Sequence, residues 1–490
     1  MRSSKVQLHA LLLIWGLLWL GAGALAGMLF LLAALVGSSD WRFSLGVMVP
    51  IFAGLVGGGL VTFFALRSMF GSRPWPLRLP PTWALAGGFV LTLAAGLGFW
   101  QAGVSSVFLV PLSLALAATL APLAVVAWIV ARRPGGVTAR RAWVAFGLGA
   151  TASSSMAYVL NTLLSLAVLF LVFGLADKVL LLAEDLFDAL AFGSLSQDLA
   201  SPWFLIFLVE VAIIAPLVEE LVKPLPLMPL LGRLASARDA MLLGMLVGAG
   251  FAAVENILYA TFFGPTWSGV LAVRSLGAAL HPLGAGLMAV AWWRALRRES
   301  GAAIGWARTY GLAVGVHALW NATCVVAATV AQALMAGWEV ELLGVTDAAL
   351  LLALLALEGA GLLVALRVAA RRVEPASEES VVAAPLAGLA SERAIAVWGL
   401  VCLIVLLPVG QDPDSLVRSA GAEELARALE RARPALDVLL GEEVYEGGAA
   451  QERAVRRALE ALAGVSDPLR RRVYVEELSV RTGLPGDVLE

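Results

Sequence analysis

Ten runs of predominantly apolar residues recur along the chain, at about 8–37, 45–66, 83–100, 107–130, 142–174, 203–231, 240–263, 270–293, 308–337 and 348–368. A helix rises 1.5 Å per residue, so about 20 residues cross a hydrocarbon layer about 30 Å thick. The third run is short at 18 residues, and the fifth is long enough to be tilted or broken near Asn161. Lipid offers no partners for backbone groups, so spanning segments of this length form helices, which bond internally. The pattern predicts an all-α polytopic membrane protein of about ten transmembrane helices. The first run follows a short basic stretch, Met1–Lys5, and is too long for a signal-peptide core, so it reads as a retained span.

The pattern changes after Arg372. Glu374–Ser380 reads as a linker, and the apolar stretch Ala394–Val409 is marginal for a span. It reads instead as a buried element of a soluble unit, followed by helical patterns at Ala422–Leu440, Ala449–Ala463 and Leu469–Thr482. Charge supports the division: the last 80 residues hold 27 charged groups and the preceding 410 hold 43. With 60% of residues hydrophobic and 14% charged, a single soluble fold is excluded. A net charge of -2 excludes a basic nucleic-acid-binding body. The expected domains are 1–201, transmembrane helices one to five; 202–337, a core of helices six to nine; 338–372, helix ten; 373–393, a linker; and 394–490, a cytoplasmic tail.

Loop charge predicts orientation. With the N-terminus inside, the inner loops and ends of the spans carry eighteen basic residues, and the outer ones only Arg42, Lys178 and Arg274. Such a bias favours both termini in the cytoplasm. The loop from Asp177 to Asp198 is acidic and falls outside, with room for a surface helix at Leu180–Leu190. Two cysteines, Cys324 and Cys402, make no disulfide framework.

Ionisable groups inside a span are costly unless paired or facing water, which makes them the informative residues here. Run six holds Glu210, Glu219, Glu220 and Lys223; run seven Glu255 and Asn256; run eight His281; run nine His317 and Asn321; run ten Glu358. Helical spacing pairs Lys223 with both Glu219 and Glu220 and puts His317 and Asn321 on one face. Depths counted along each run bring Glu219, Glu220, Glu255, His281 and His317 to similar levels, so one polar chamber can collect them. Glu210 falls farther toward the outer surface, and Glu358 reads as structural. Pro216, Pro224, Pro226 and Pro229 break or kink run six beside the glutamates.

Such a chamber suits hydrolysis. Two adjacent carboxylates in a low dielectric do not both ionise freely, so one holds a proton while the other acts as a base toward water. His and Asn side chains can donate to the oxyanion, and Lys223 can neutralise a carboxylate. His281 and His317 with Glu255 or Glu219 are also ligand types for zinc, although an HExxH helix is absent. The same residue types serve as structural polar contacts and as proton-transport groups, so a proton-coupled secondary transporter and a catalytically silent scaffold are the alternatives.

Four phrases in order resemble the PrsW family of intramembrane proteases, within the superfamily of CAAX-processing endopeptidases and bacteriocin-immunity-type membrane proteins. They are Glu219-Glu220-Leu221-Val222-Lys223, then Gly250-Phe251-Ala252-Ala253-Val254-Glu255-Asn256, then His281, then His317-Ala318-Leu319-Trp320-Asn321. The resemblance covers about Pro202 to Ala331. It implies a peptidase cutting membrane-anchored proteins, anti-sigma factors among them, in the bacterial cytoplasmic membrane. It implies Glu219, Glu220, Glu255, His281 and His317 as catalytic residues, with Lys223, Asn256 and Asn321 in support. The superfamily includes both glutamate-dependent and zinc enzymes; the charge argument favours glutamate without a cofactor, with zinc as the alternative.

The tail, over about 398–490, resembles the end of the TOPRIM domain of bacterial DNA primases and the helical segment after it. Leu407-Pro408-Val409-Gly410-Gln411-Asp412-Pro413-Asp414 and Ser466-Asp467-Pro468-Leu469 carry that likeness. The zinc-ribbon cysteines and earlier acidic motifs of a primase are missing. The acidic balance of the tail argues against nucleic acid and for a cytoplasmic protein partner or a stabilising appendage.

Overall fold

The computed structural model describes residues 2–36, 46–70, 75–102, 106–132, 137–173, 202–231, 234–335, 341–342, 345–373 and 455. The chain divides into two units, Met1–Val405 and Leu406–Glu490, and the architecture described here is that of the first. The tail, its linker, Ala394–Val409 and the 177–198 loop lie outside the described residues, apart from Val455.

Among the described residues, eleven longer helices make up the bundle, besides a short one at Met228–Leu231. They are α1 (Arg2–Val36), α2 (Met48–Met69), α3 (Thr82–Gln101) and α4 (Ser106–Arg132). Next come α5 (Ala139–Leu148, a π-turn at Gly149–Ser153, then Ser154–Phe173) and α6 (Pro202–Val209, a π-turn at Glu210–Ile214, then Ala215–Val222). The rest are α7 (Ala237–Phe262), α8 (Trp267–Leu276), α9 (Leu280–Leu296), α10 (Ala302–Met335) and α11 (Asp347–Arg372). A two-residue antiparallel ladder, Glu341–Leu342 with Val345–Thr346, precedes α11.

Among the described residues, eight helices are long and apolar enough to cross a membrane, or nine when α8 and α9 count as one bent span. The broken α6 stands apart from these. The protein is thus an all-α polytopic membrane protein. Large apolar side chains such as Trp83 (78% exposed) and Leu91 (71%) face outward, as a lipid environment allows.

Three details differ from the sequence expectation. Run eight is two helices bent by 45° rather than one. Run five, long enough to be tilted or broken near Asn161, is continuous helix there, and its irregularity is the π-turn at Gly149–Ser153, earlier in α5. Run six remains helical to Val222 before Pro224 and Pro226 turn it into a 3-10 segment, Leu225–Leu227. Proline has no N–H to give, and it pushes the preceding residue out of the helical region.

α7 sits in the middle of the bundle. A Cβ on Gly244 or Gly248 would strike the backbone of α9 at Ala285 or His281, and one on Gly250 would strike Phe146 on α5. Bare glycines therefore set the distance of α7 from both neighbours, as close helix packing in membranes requires. The similar spacing at Gly311 and Gly315 does nothing of the kind, since both face open space.

Candidate active site

α6 arrives at the site with its backbone already perturbed. Pro216 follows the π-turn and offers no N–H to the carbonyls below it. One of these, Val211 O, accepts from Asn321 Nδ2 of α10 at 2.9 Å. Tyr310 of α10 likewise donates its hydroxyl to Leu217 O at 2.7 Å. At the other end, Lys223 caps the helix, and its carbonyl accepts from Ser153 Oγ of α5 at 2.8 Å. Glu219 and Glu220 thus lie on a single helical turn fixed at both ends.

The two glutamates are not equivalent. Glu220 Oε1 accepts from Lys223 Nζ at 2.6 Å and lies 2.8 Å from His317 Nδ1. Glu219 Oε2 has Lys223 Nζ at 3.4 Å and His317 Nε2 at 3.8 Å, without a hydrogen bond to either. Lys223 is fully buried, with its ammonium 4.7 Å from the centre of the Phe251 ring. A buried ammonium without partners would be prohibitively costly, and the two carboxylates and the ring face supply them.

A second carboxylate–histidine pair comes from α7 and α9. Glu255 Oε2 lies 2.7 Å from His281 Nε2 and 3.1 Å from Arg274 Nη2. Arg274 Nε donates to Asn256 Oδ1 at 2.6 Å, and Asn256 Nδ2 donates to Ala118 O of α4 at 3.2 Å. The guanidinium also lies 4.3 Å from the Tyr259 ring centre. The His281 and His317 rings meet edge to face, 5.1 Å between centres.

Each histidine therefore has one nitrogen toward a carboxylate: His317 toward Glu220, His281 toward Glu255. Among the described residues, the opposite nitrogens, His317 Nε2 and His281 Nδ1, are buried without hydrogen-bond partners, as are Glu219 Oε2 and Glu220 Oε2. Glu219, His281 and His317 offer ligand atoms within 4.8 Å of one another. A histidine backed by a carboxylate with its other nitrogen free is the usual form of a metal-ligating imidazole. The residues present therefore fit one divalent ion of zinc type.

The five acidic and histidine positions singled out in the sequence meet here, with Lys223. The two asparagines do not join them: Asn321 holds the α6 backbone, and Asn256 holds Arg274. Glu210 is nine residues before Glu219, on the π-turn. Glu358 accepts from Thr323 Oγ1 at 2.8 Å. Arg274 corrects the loop assignment, because it lies inside the bent span with its side chain 11% exposed. The sequence signal for it was an arginine seven residues, two helical turns, before His281. Ser153 carried no signal; hydroxyls are common in such helices.

Residues 138–355 match the family model described as PrsW family intramembrane metalloprotease. Over that range the chain is similar to the PrsW family. No curated protein and no solved structure matches the chain. The PrsW match starts before Pro202, so it takes in α5 as well as the four helices whose phrases carry the resemblance. The packing agrees: Gly149 of α5 abuts the Val247 backbone of α7, and Ser153 caps α6. The family is one of intramembrane proteases, and its substrates are membrane proteins in the lipid bilayer.

Proposed function

We propose that this chain hydrolyses peptide bonds of membrane-anchored proteins with water activated at Glu219. The observation that carries the reading is the convergence of three buried side chains, Glu219, His281 and His317, whose ligand atoms lie within 4.8 Å of one another, with Glu219 Oε2 and His317 Nε2 unpartnered among the described residues. Unpaired polar atoms in a low-dielectric interior are costly, so a site that concentrates them is built to receive something polar. Glu219 takes a proton from water, the resulting hydroxide adds to the scissile carbonyl, and the proton passes to the departing amine. His281 and His317 face the developing oxyanion, each held from behind by Glu255 or Glu220. Lys223 and Arg274 fix those two carboxylates.

The same observation favours a second reading in which Glu219, His281 and His317 hold zinc. Zinc bound there supplies Lewis acidity that makes water a nucleophile near neutral pH. Glu219 then serves as a ligand, and Glu220 Oε2, also unpartnered, takes the proton.

Cleavage and zinc content, measured on the same purified Glu219→Gln and Glu220→Gln samples, separate the two readings. Loss of at least 10³-fold in cleavage with zinc content unchanged in Glu219→Gln, about 4 kcal/mol of barrier, assigns Glu219 as base. Loss of zinc together with cleavage assigns it as ligand. Full cleavage in both single variants and in the double variant removes the hydrolytic reading. Proton-coupled flux in proteoliposomes would then restore the transporter.

The setting we assign is the cytoplasmic membrane of a bacterium, with both termini inside, following the loop charge bias. Substrates of anti-sigma-factor type, and a protein partner for the tail, belong to the same reading.

A further inference from the structure

A cavity of about 670 Å³ lies between α9, α10 and α11, beside the glutamates. Its walls are mostly apolar, with Leu287, Val290 and Leu312 among them, and Arg294, Glu299 and Arg372 stand at one end. Gly284 stands at the other. A Cβ on Gly284 would run into the Glu220 carboxylate, so a bare glycine separates the cavity from Glu220 Oε2. From Gly284 to Arg294 is ten residues of one helix, about 15 Å. That is the length of four to five residues of extended chain at about 3.3 Å each.

Glu358 points to the occupant. It lines the cavity, and its Oε1 accepts from Thr323, but its Oε2 is buried with no partner among the described residues. A hydrocarbon chain in the groove would bring Oε2 no hydrogen bond. A helical segment has already used its backbone groups internally. An extended peptide brings one N–H and one C=O per residue. We infer that the cavity receives an apolar segment of a membrane-protein substrate, unwound into extended form. Glu358 takes up one of its free backbone groups, and Gly284 lets the scissile bond reach the glutamates. The consequence for cleavage rests on the hydrolytic reading; the binding does not.

The test is photo-crosslinking from Gly361→p-benzoylphenylalanine in a Glu219→Gln background. Gly361 lines the cavity, and a Cβ there meets open space, so the probe fits without displacing backbone. Liposomes of phosphatidylethanolamine and phosphatidylglycerol would carry biotinylated 20-residue Leu/Ala peptides, one uninterrupted and one broken by a central Gly-Pro-Gly. The broken peptide is expected to crosslink at least tenfold better. Glu358→Leu should cut that yield at least threefold, while Glu358→Gln, which keeps a donor and an acceptor, restores it. The same probe at Gly98, on α3, should show no preference between the peptides. Equal capture of both peptides, or capture of phospholipid alone, overturns the proposal. Because an inactive variant is read, failure here and failure of hydrolysis in the wild type are separate results.

Discussion

α3 and α7 look alike as text and behave differently in the bundle. Their mean hydropathies are 1.6 and 1.8, yet 11% of the apolar window of α3 is buried and 94% of that of α7. Both are rich in glycine. On α7, Gly244, Gly248 and Gly250 each touch a neighbouring backbone; on α3, Gly87 and Gly98 touch nothing among the described residues, Gly88 meets only the tip of the Leu120 side chain, and Gly96 is tight against Ser113 and Trp267. Lipid is as apolar as leucine, so hydropathy decides that a helix crosses but not where it stands. Position comes from close backbone approach and from polar contacts. α7 has both, carrying Glu255 and Asn256 into contact with α9, α8 and α4.

The largest effect is expected from removing what α7's charge leans on. Arg274→Ala leaves Glu255 buried with His281 as its remaining close partner. Breaking a buried pair from one side costs about 3–5 kcal/mol. The expected result is a markedly lower thermal midpoint in detergent, together with loss of cleavage as His281 loses its support. Arg274→Lys should recover only part of both, since a point charge cannot serve Glu255 and Asn256 together as the guanidinium fork does. Wild-type stability in Arg274→Ala would mean that Glu255 does not need the arginine.

A smaller effect is expected from Gly248→Ala. Its Cβ would enter the carbonyl region of His281 and Pro282, so α9 must shift outward. Overpacking of this kind costs about 1–3 kcal/mol. Because the displaced residue is His281 itself, cleavage should fall further than the thermal midpoint alone implies. An unchanged kcat/KM would show that α9 has slack at this point.

The spans and the polar residues were legible because each obeys a one-dimensional rule. Hydropathy marks a crossing, and Glu219 with Lys223 is a spacing on one helix. The pairing of His317 with Glu220, and of His281 with Glu255, was not legible, because it depends on how four helices rotate against one another. Arg274 counted only as an outer basic residue, because its partners Glu255 and Asn256 come from a different helix. Run six, conversely, kept its helix past Pro216, since the Asn321 side chain answers a carbonyl that the proline leaves behind. Sequence alone shows the proline but not the partner more than a hundred residues on that repairs the break.

The smallest effect is expected on α3. Gly98→Ala adds a methyl where nothing lies within 4 Å, on a helix face turned outward. Surface substitutions free of buried contacts change stability by less than about 0.5 kcal/mol. Alanine also narrows the conformations open to the unfolded chain, which pulls slightly toward greater stability. The thermal midpoint should therefore stay level or rise a little, and cleavage should match wild type. The same substitution, glycine to alanine within a span of nearly equal hydropathy, would then be harmless at position 98 and damaging at position 248. If Gly98→Ala instead destabilised the protein by a kilocalorie or more, the outward face of α3 would have to be covered, and the burial contrast between the two helices would no longer account for their glycines.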